Sequence, residues 1–160
     1  MALDYKKEYK ELYLPSPEPT VVIVPPMTYA AVRGKGNPNE EGGEYGRAVG
    51  MLYAILYTIK MSRGNIPGVS GFTDFVVPPL EGLWWMGSGL HGVDYENKGD
   101  FHWISMIRLP DFVTPDIFAW AVKEAERKKK TDLSKVELFP LDEGLCAQCM
   151  HFGPYDNEPA

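Results

Sequence analysis

The sequence contains little cysteine and no long apolar run, and it is short of positive charge. Its two cysteines, Cys146 and Cys149, are too few and too close together for the disulfide framework of a small secreted protein. No basic leader followed by an apolar stretch occurs, and there is no run of about 18 apolar residues. These absences predict a cytoplasmic protein without membrane segments.

The charge balance argues against a nucleic-acid binder. The formal net charge is −6, whereas proteins that bind the phosphate backbone normally carry a basic face. The only basic run, residues 127–130, comes at the end of a predicted helix, where cations complement the helix dipole. We therefore expect no nucleic-acid partner.

Motifs for metals and nucleotide cofactors are also missing. Cys146 and Cys149 have C-x-x-C spacing, but residues three apart in the predicted strand point to opposite faces. No second cysteine pair or paired histidines completes a metal site. Gly34-x-Gly36 lacks the third glycine of a dinucleotide-binding turn, because Asn39 stands in its place. We expect neither a metal nor a cofactor.

Apolar and aromatic side chains are plentiful. Hydrophobic residues make up 44% of the 160 residues and aromatic residues 12%, enough for one domain with a substantial core. Residues 1–19 are polar and then proline-rich, which predicts an arm before a domain at 20–160. The apolar periodicity predicts an α+β fold, with helices at about 45–62 and 115–129 and strands at 20–33, 72–77, 83–86, 101–109, 136–139 and 145–152.

The last residues predict the start of a further helix. Residues 153–159 combine a turn, capping residues and a proline at a first helical position, and the sequence stops at Ala160. Our interpretation is a truncated copy of a longer protein, or a chain whose missing packing surface comes from a second copy in a homodimer.

Four separated segments carry a resemblance to a known family. They are residues 57–62 (Tyr-Thr-Ile-Lys-Met-Ser), 78–85 (Pro-Pro-Leu-Glu-Gly-Leu-Trp-Trp), 111–114 (Asp-Phe-Val-Thr) and 150–156 (Met-His-Phe-Gly-Pro-Tyr-Asp). With these motifs in this order, the chain resembles the GyrI-like small-molecule-binding family from roughly residue 12 to residue 160. Within that family it is most similar to the subfamily of cyclopropanoid cyclopropyl hydrolases.

The resemblance implies two tandem strand-helix-strand-strand modules, with an antiparallel sheet, helices on one face and a ligand cleft between the modules. It also implies binding of planar drugs. In the hydrolase subfamily it implies opening of the cyclopropane ring in DNA-alkylating compounds of the yatakemycin type. Family members continue with a helix and two strands, one of which carries an acidic residue facing the cleft. We expect these last elements to be missing here, and a role that depends on that acid is not carried over.

Aromatic side chains are the main candidates for a ligand site. Flat ligands are held by ring faces and a few polar groups. Trp84 and Trp85 are adjacent and must point to opposite faces of a strand, so at most one of them lines a given cleft. The alternative is that most of these rings belong to the core. The candidate rings are Tyr53, Tyr57, Trp84, Trp85, Phe101, Trp103, Phe112 and Tyr155.

Polar candidates accompany the rings. Glu81 directly precedes the tryptophan segment and would balance a cationic ligand, or act as a base if burial raises its pKa; the alternative is a solvated turn residue. His151 lies in an apolar strand and is a ligand-contacting candidate or an ordinary core or edge residue. The hydroxyls of Tyr57 and Tyr155 are candidate donors to a substrate carbonyl. The catalytic candidates are therefore Glu81, Tyr57 and Tyr155.

Two functional hypotheses follow. In the first, the protein binds flat apolar or cationic xenobiotics in an aromatic cleft and protects the cell, either by sequestering them alone or also by hydrolysing cyclopropanoid DNA-alkylating agents. In the second, it is a non-enzymatic sensory or inhibitory module that binds a protein partner. Neither hypothesis includes a metal, a cofactor, a nucleic acid or a membrane.

Overall fold

The chain forms an α+β fold of four helices and six strands, seen in a computed structural model that describes residues 2–87 and 93–157. Short 3-10 turns cover Tyr95–Asp100 and Tyr155–Asn157. The elements in chain order are α1 (Tyr5–Glu8), α2 (Lys10–Tyr13), β1 (Thr20–Val24), β2 (Met27–Lys35), α3 (Glu44–Met61), β3 (Leu80–Met86), β4 (Phe101–Arg108), α4 (Pro115–Lys129), β5 (Glu137–Leu141) and β6 (Gly144–Gln148).

The strands form two antiparallel sheets. The main sheet has the order β3-β4-β2-β5, and β1 pairs only with β6 in a two-stranded ribbon. The predicted strand at 20–33 is therefore two strands in different sheets. Pro25 and Pro26 separate them, because proline cannot donate a hydrogen bond to a ladder.

Strand register assigns the side chains of the main sheet to two faces. The pair Trp84–Trp103 of β3 and β4 points to the side on which α3 and α4 pack, and we call this side the helical face. The pair Glu81–Met106 points to the other side, where Leu12 of α2 packs, and we call this side the arm face. Each face has its own apolar cluster, and the larger cluster lies between the sheet and the two long helices.

The long helices are placed by buried apolar stripes. In α3 the fully buried members are Leu52, Ile55, Leu56 and Ile59, and each such side chain stabilises the fold by roughly 2 kcal/mol. Helix α4 begins where the sequence predicts, because Thr114 Oγ1 accepts the backbone N–H of Ile117 at 3.3 Å and Pro115 takes the first helical position. Neither α3 nor any other helix in the described ranges is long and apolar enough to span a bilayer.

Three sequence predictions of local structure differ from the observed fold. Residues 72–77 form no strand, and only an isolated bridge joins Phe75 to Leu3. The arm, predicted without regular structure, contains α1 and α2, and α1 begins where Asp4 Oδ1 accepts the backbone N–H of Lys6 at 3.2 Å. Strand β6 ends at Gln148 rather than at residue 152. Of the predicted final helix, residues 155–157 form a 3-10 turn, and residues 158–160 lie outside the described ranges.

Candidate functional site

An aromatic cluster occupies the helical face near the start of α3. The Tyr45 ring lies 5.3 Å from Trp84 and 5.1 Å, edge to face, from Trp103. Phe101 lies 5.9 Å from Trp84 and 6.0 Å from Tyr95, also edge to face. These tilted and edge-on arrangements are the favourable ones for ring quadrupoles. The cluster therefore forms one continuous aromatic surface, and Tyr45 and Trp84 are its half-buried members.

Two glycines allow the tryptophans to lie flat on the sheet. A Cβ atom at Gly34 would stand 2.2 Å from Trp103 Cη2, and one at Gly82 would stand 2.6 Å from Trp84 Nε1. No real side chain fits at such distances. The glycines of β2 and β3 are thus part of the aromatic site, because they bring the rings onto the backbone.

Beneath the rings lie polar atoms without partners. Within the described ranges, neither Trp103 Nε1 nor Ser105 Oγ has a hydrogen-bond partner, although both side chains are buried. Burial raises the pKa of the Tyr45 hydroxyl, and its proximity to Ser105 opposes that rise. Buried polar groups are nearly always hydrogen-bonded, so these two atoms mark where a polar group of a ligand or water would bind.

A second cluster, of charged and phenolic groups, lies on the arm face. Tyr29 Oη is 3.3 Å from Met27 Sδ and 3.5 Å from Glu81 Oε2, and it donates its single proton to one of them. Tyr13, at the end of α2, lies close enough to Glu81 and Arg108 to interact electrostatically with both. No contact of Tyr13 Oη with either group has the geometry of a hydrogen bond within the described ranges.

Arg108 connects this cluster to the arm. Its guanidinium lies over the rings of Tyr5 and Tyr9, 4.4 and 4.8 Å from the ring centroids. Its Nη2 is 3.7 Å from Asp111 Oδ1 at the protein surface. Arg108 is only 5% exposed, and a cation that is shielded from water interacts more strongly with ring faces. The arginine therefore holds α1 against the sheet.

Glu81 is the carboxylic acid of the cluster, and its pKa is strongly perturbed. Burial raises the pKa of its carboxyl to about 7, and the negative charge of Glu143 in the β5–β6 turn adds to this rise. Arg108 and the hydroxyls of Tyr29 and Tyr13 act in the opposite direction. The carboxyl therefore exchanges a proton near neutral pH, as a general base or acid must.

The structure separates the residues that the sequence grouped as one site. Trp84, Phe101 and Trp103 lie together on the helical face, and Tyr53 of α3 packs against the same core. Trp85 and Glu81 lie on the arm face, where Trp85 is 5.8 Å from the His102 ring. The opposite orientations predicted for the adjacent tryptophans are observed.

The remaining candidates lie at the edges of the two clusters or beyond them, and of these Tyr155 is close enough to Tyr45 to interact electrostatically with its hydroxyl. Tyr57 is half exposed on α3, 6.2 Å from Tyr53. Phe112 packs against Phe72 and Phe75 at 5.2 and 6.2 Å. The ring nitrogen Nε2 of His151 is 3.0 Å from the Pro154 carbonyl oxygen, and Tyr155 is three-quarters exposed in the terminal turn. None of these side chains is brought to Glu81.

Sequence reasoning missed six residues of the two clusters, namely Tyr13, Tyr29, Tyr45, Tyr95, Ser105 and Arg108. Arg108 could have been recognised as a candidate from the sequence, because it is a charged residue at the end of an otherwise strongly apolar strand. No local sequence pattern marks the tyrosines, because their hydroxyls come together only when elements distant in the sequence pack against each other.

Two surface grooves and the possible metal ligands of the described ranges were compared with the two clusters. Two grooves of about 390 and 490 Å³ are lined by other residues, the first between the arm and the ribbon, the second around Lys35 and Arg47. Within the described ranges, no group of three His, Cys, Asp or Glu side chains is placed to hold a metal. Cys146 and Cys149 are free thiols. The two candidate sites therefore rest on packing and on polar atoms that have no partner within the described ranges.

Comparison with known proteins identifies the family. Residues 17–160 match the model of the GyrI-like small molecule binding domain. The chain belongs to this family. No curated protein matches the sequence. The GyrI-like domain thus covers both sheets, α3 and α4, and the arm with α1 and α2 precedes the matched residues.

Solved structures from Listeria innocua share the fold of this GyrI-like domain. An uncharacterized conserved protein has 44% identity and a TM-score of 0.88 over 98% of this chain and 75% of its own. A hydrolase encoded by lin2189 has 43% identity and a TM-score of 0.89 over 99% of this chain and 76% of its own. A further hydrolase has 43% identity and a TM-score of 0.85 over 98% of this chain and 74% of its own.

Proposed function

We propose that this GyrI-like domain binds flat apolar or cationic small molecules against the aromatic cluster of the helical face and hydrolyses cyclopropanoid DNA-alkylating compounds. The observation that carries the proposal is the continuous ring surface above two buried polar atoms without partners, Trp103 Nε1 and Ser105 Oγ. Two relatives at 43% identity are described as hydrolases, which supports a hydrolytic reaction.

The geometry of the aromatic cluster suits flat ligands, whether they are apolar or cationic. Tyr45 and Trp84 are half-buried, so part of each ring is open to contact while the rest is fixed by neighbours. A planar apolar ligand gains about 0.5–1.5 kcal/mol per stacked ring beyond its buried area. A cationic ligand is attracted to the same ring faces by their quadrupole. Binding therefore requires no charged side chain on the helical face.

Hydrolysis requires one water molecule and stabilisation of the electron pair that the cyclopropane carbon–carbon bond releases when it breaks. The water oxygen bonds to the strained ring methylene, and the cyclopropane carbon–carbon bond breaks. The bonding pair moves into the conjugated carbonyl, whose oxygen takes up a proton equivalent to the one that water loses. The Tyr45 hydroxyl, beside Ser105, would donate to that carbonyl oxygen and so stabilise the charge that develops on it. Rings that exclude bulk water strengthen this interaction.

Adjacent tryptophans on opposite faces provide a matched test. Trp84→Ala removes a ring of the aromatic cluster, whereas Trp85→Ala removes the next ring in the sequence from the other face. We expect Trp84→Ala to weaken binding of a yatakemycin-type cyclopropanoid roughly tenfold, the effect of about 1.4 kcal/mol, and Trp85→Ala to leave it unchanged. Tyr45→Phe, which keeps the ring, should lower turnover more than binding.

Tryptophan fluorescence and mass analysis of the ligand provide the measurements. Product heavier by one water, formed over many turnovers, is expected for the wild type. Binding without such product would restrict the function to sequestration. If turnover is lost in Trp85→Ala or Glu81→Gln and kept in Trp84→Ala, the reaction takes place on the arm face and the proposal is wrong.

One surface favours the alternative of a partner-binding module. The outer face of the β1–β6 ribbon carries Val21, Ile23 and Leu145, each more than 70% exposed. Contiguous exposed apolar surface is typical of interaction sites. For a partner-binding module, substitutions on this ribbon would impair function while Trp84→Ala would not, so the same variant separates the two hypotheses.

A further inference from the structure

The outer face of the β1–β6 ribbon is apolar and exposed. The cross-strand pairs Val21–Ala147 and Ile23–Leu145 place four apolar side chains on this face, which we call the ribbon face. Val21, Ile23 and Leu145 are 73, 74 and 73% exposed, and within the described ranges the ribbon has no third strand. Because burial of large apolar side chains is favourable, the ribbon face favours contact with another apolar surface.

We propose that two copies of this chain pack their ribbon faces together in a two-fold symmetric dimer. A two-fold axis brings the same patch of both copies into contact, so the patch must be complementary to itself. The strands Thr20–Val24 and Gly144–Gln148 contain no charged residue, although the formal net charge of the chain is −6. Contact between the strands of two ribbons therefore brings no like charges together. The ribbon face is separate from the aromatic cluster, and the inference does not depend on the proposed function.

A groove beside the ribbon face supplies complementary shape and charge. Its volume is about 390 Å³, and Leu14 and Val21 are among its lining residues, so the groove is continuous with the ribbon face. The exposed side chain of Ile23 from the second copy is the apolar group that would fill it. Lys10 and Glu11 also line the groove, and across a two-fold axis Lys10 of each copy can pair with Glu11 of the other. A partner with charges of one sign would match only one of these two residues, whereas a second copy matches both.

The dimensions of the ribbon predict a weak and reversible dimer. Each of its strands has five residues, and a strand of this length is about 17 Å long. Two such strands and one groove are small compared with the roughly 800 Å² that each partner buries in a standard interface. Much of the favourable free energy of contact is offset by the freedom that the two chains lose on association. We therefore expect the dimer to dissociate on dilution and to form at high protein concentration.

Sedimentation of the whole chain at increasing concentration tests the association. Between about 1 µM and about 1 mM, a range that covers weak interfaces, we expect the mass to rise from that of one chain towards that of two. Ile23→Lys should weaken the association roughly tenfold or more, because it places two like charges in the interface. Met61→Lys is the matched control and should have no effect, since Met61 is 62% exposed on α3 rather than on the ribbon. A wild type that stays monomeric, or an equal loss in both variants, would overturn the proposal.

Cross-linking tests which side of the ribbon is buried between the two copies. Adjacent residues of a strand point to opposite sides, so Ile23→Cys and Val22→Cys place a thiol on opposite faces of β1. Both are made with Cys146→Ser and Cys149→Ser, which remove the free thiols. A bismaleimide that spans about 10 Å, the separation of packed sheets, should join two copies through Ile23→Cys and not through Val22→Cys. Because Ile23 is already 74% exposed, its substitution removes no core contact. Equal yields, or cross-linking through Val22→Cys alone, would overturn the proposal.

Discussion

Replacing Glu81 by glutamine tests the electrostatics of the arm face directly. Glutamine has nearly the same shape as a protonated glutamate and carries no charge at any pH. The substitution therefore leaves the packing of β3 and α2 in place and removes only the ionisation of the carboxyl. Comparing the unfolding free energies of Glu81→Gln and the wild type therefore isolates the cost of keeping a negative charge at this position.

The magnitude follows from the pKa of Glu81, which burial raises from 4.5 to about 7. The folded protein binds this proton more tightly than the unfolded chain, so the free energy of unfolding falls as pH rises between these two values. At 1.36 kcal/mol per pKa unit the full loss is about 3 kcal/mol. Glu81→Gln avoids this loss. We expect it to match the wild type within about 1 kcal/mol at pH 5 and to be about 3 kcal/mol more stable at pH 8.

Urea unfolding of both proteins at pH 5 and pH 8 measures the effect, and the difference between them cancels the titration of shared groups. Glu137→Gln is the control, because this acid lies on the same face but is accessible to solvent and paired with Arg33 at 2.7 Å. Exposed ion pairs contribute less than about 1 kcal/mol. A wild type that is more stable at pH 8 than Glu81→Gln, or a difference that does not change with pH, would refute the reasoning.

Two further predictions concern packing and assembly. Gly34→Ala places a Cβ 2.2 Å from the Trp103 ring and should destabilise the chain by at least 1–3 kcal/mol, the usual cost of overpacking; an unchanged urea midpoint would contradict it. The exposed apolar ribbon should associate two chains into a homodimer, and Ile23→Lys should shift sedimentation towards the monomer. A wild type that is monomeric at high concentration would contradict the second prediction.

Local signals predicted the long elements well. Helix α4 runs over Pro115–Lys129 as expected, because its cap, its first proline and its apolar stripe all lie within the helix itself. The predicted strand at 20–33 is divided into β1 and β2 at Pro25 and Pro26, since two consecutive prolines prevent one continuous strand. The family resemblance was confirmed over residues 17–160.

The sequence-based predictions of secondary structure failed where a segment needs contacts with another part of the chain to become regular. Residues 72–77 alternate like a strand, but a strand needs a neighbour along its length, and Phe75 has only one bridge to Leu3. The arm looked irregular because its composition is polar and rich in proline. Its tyrosines Tyr5 and Tyr9 pack against the guanidinium of Arg108, more than 90 residues away in the sequence, and local patterns do not reveal such a contact.

The sequence by itself determined the α+β class, the family, both long helices and the opposite orientation of Trp84 and Trp85, because each depends on local periodicity or on motifs in order. Only the tertiary structure decided which residues share a site. It placed Glu81 with Tyr13, Tyr29 and Arg108 on the arm face, away from the tryptophan cluster with which the sequence grouped it. Strand alternation assigns a side chain to a face, but register and packing between distant segments decide what else lies on that face.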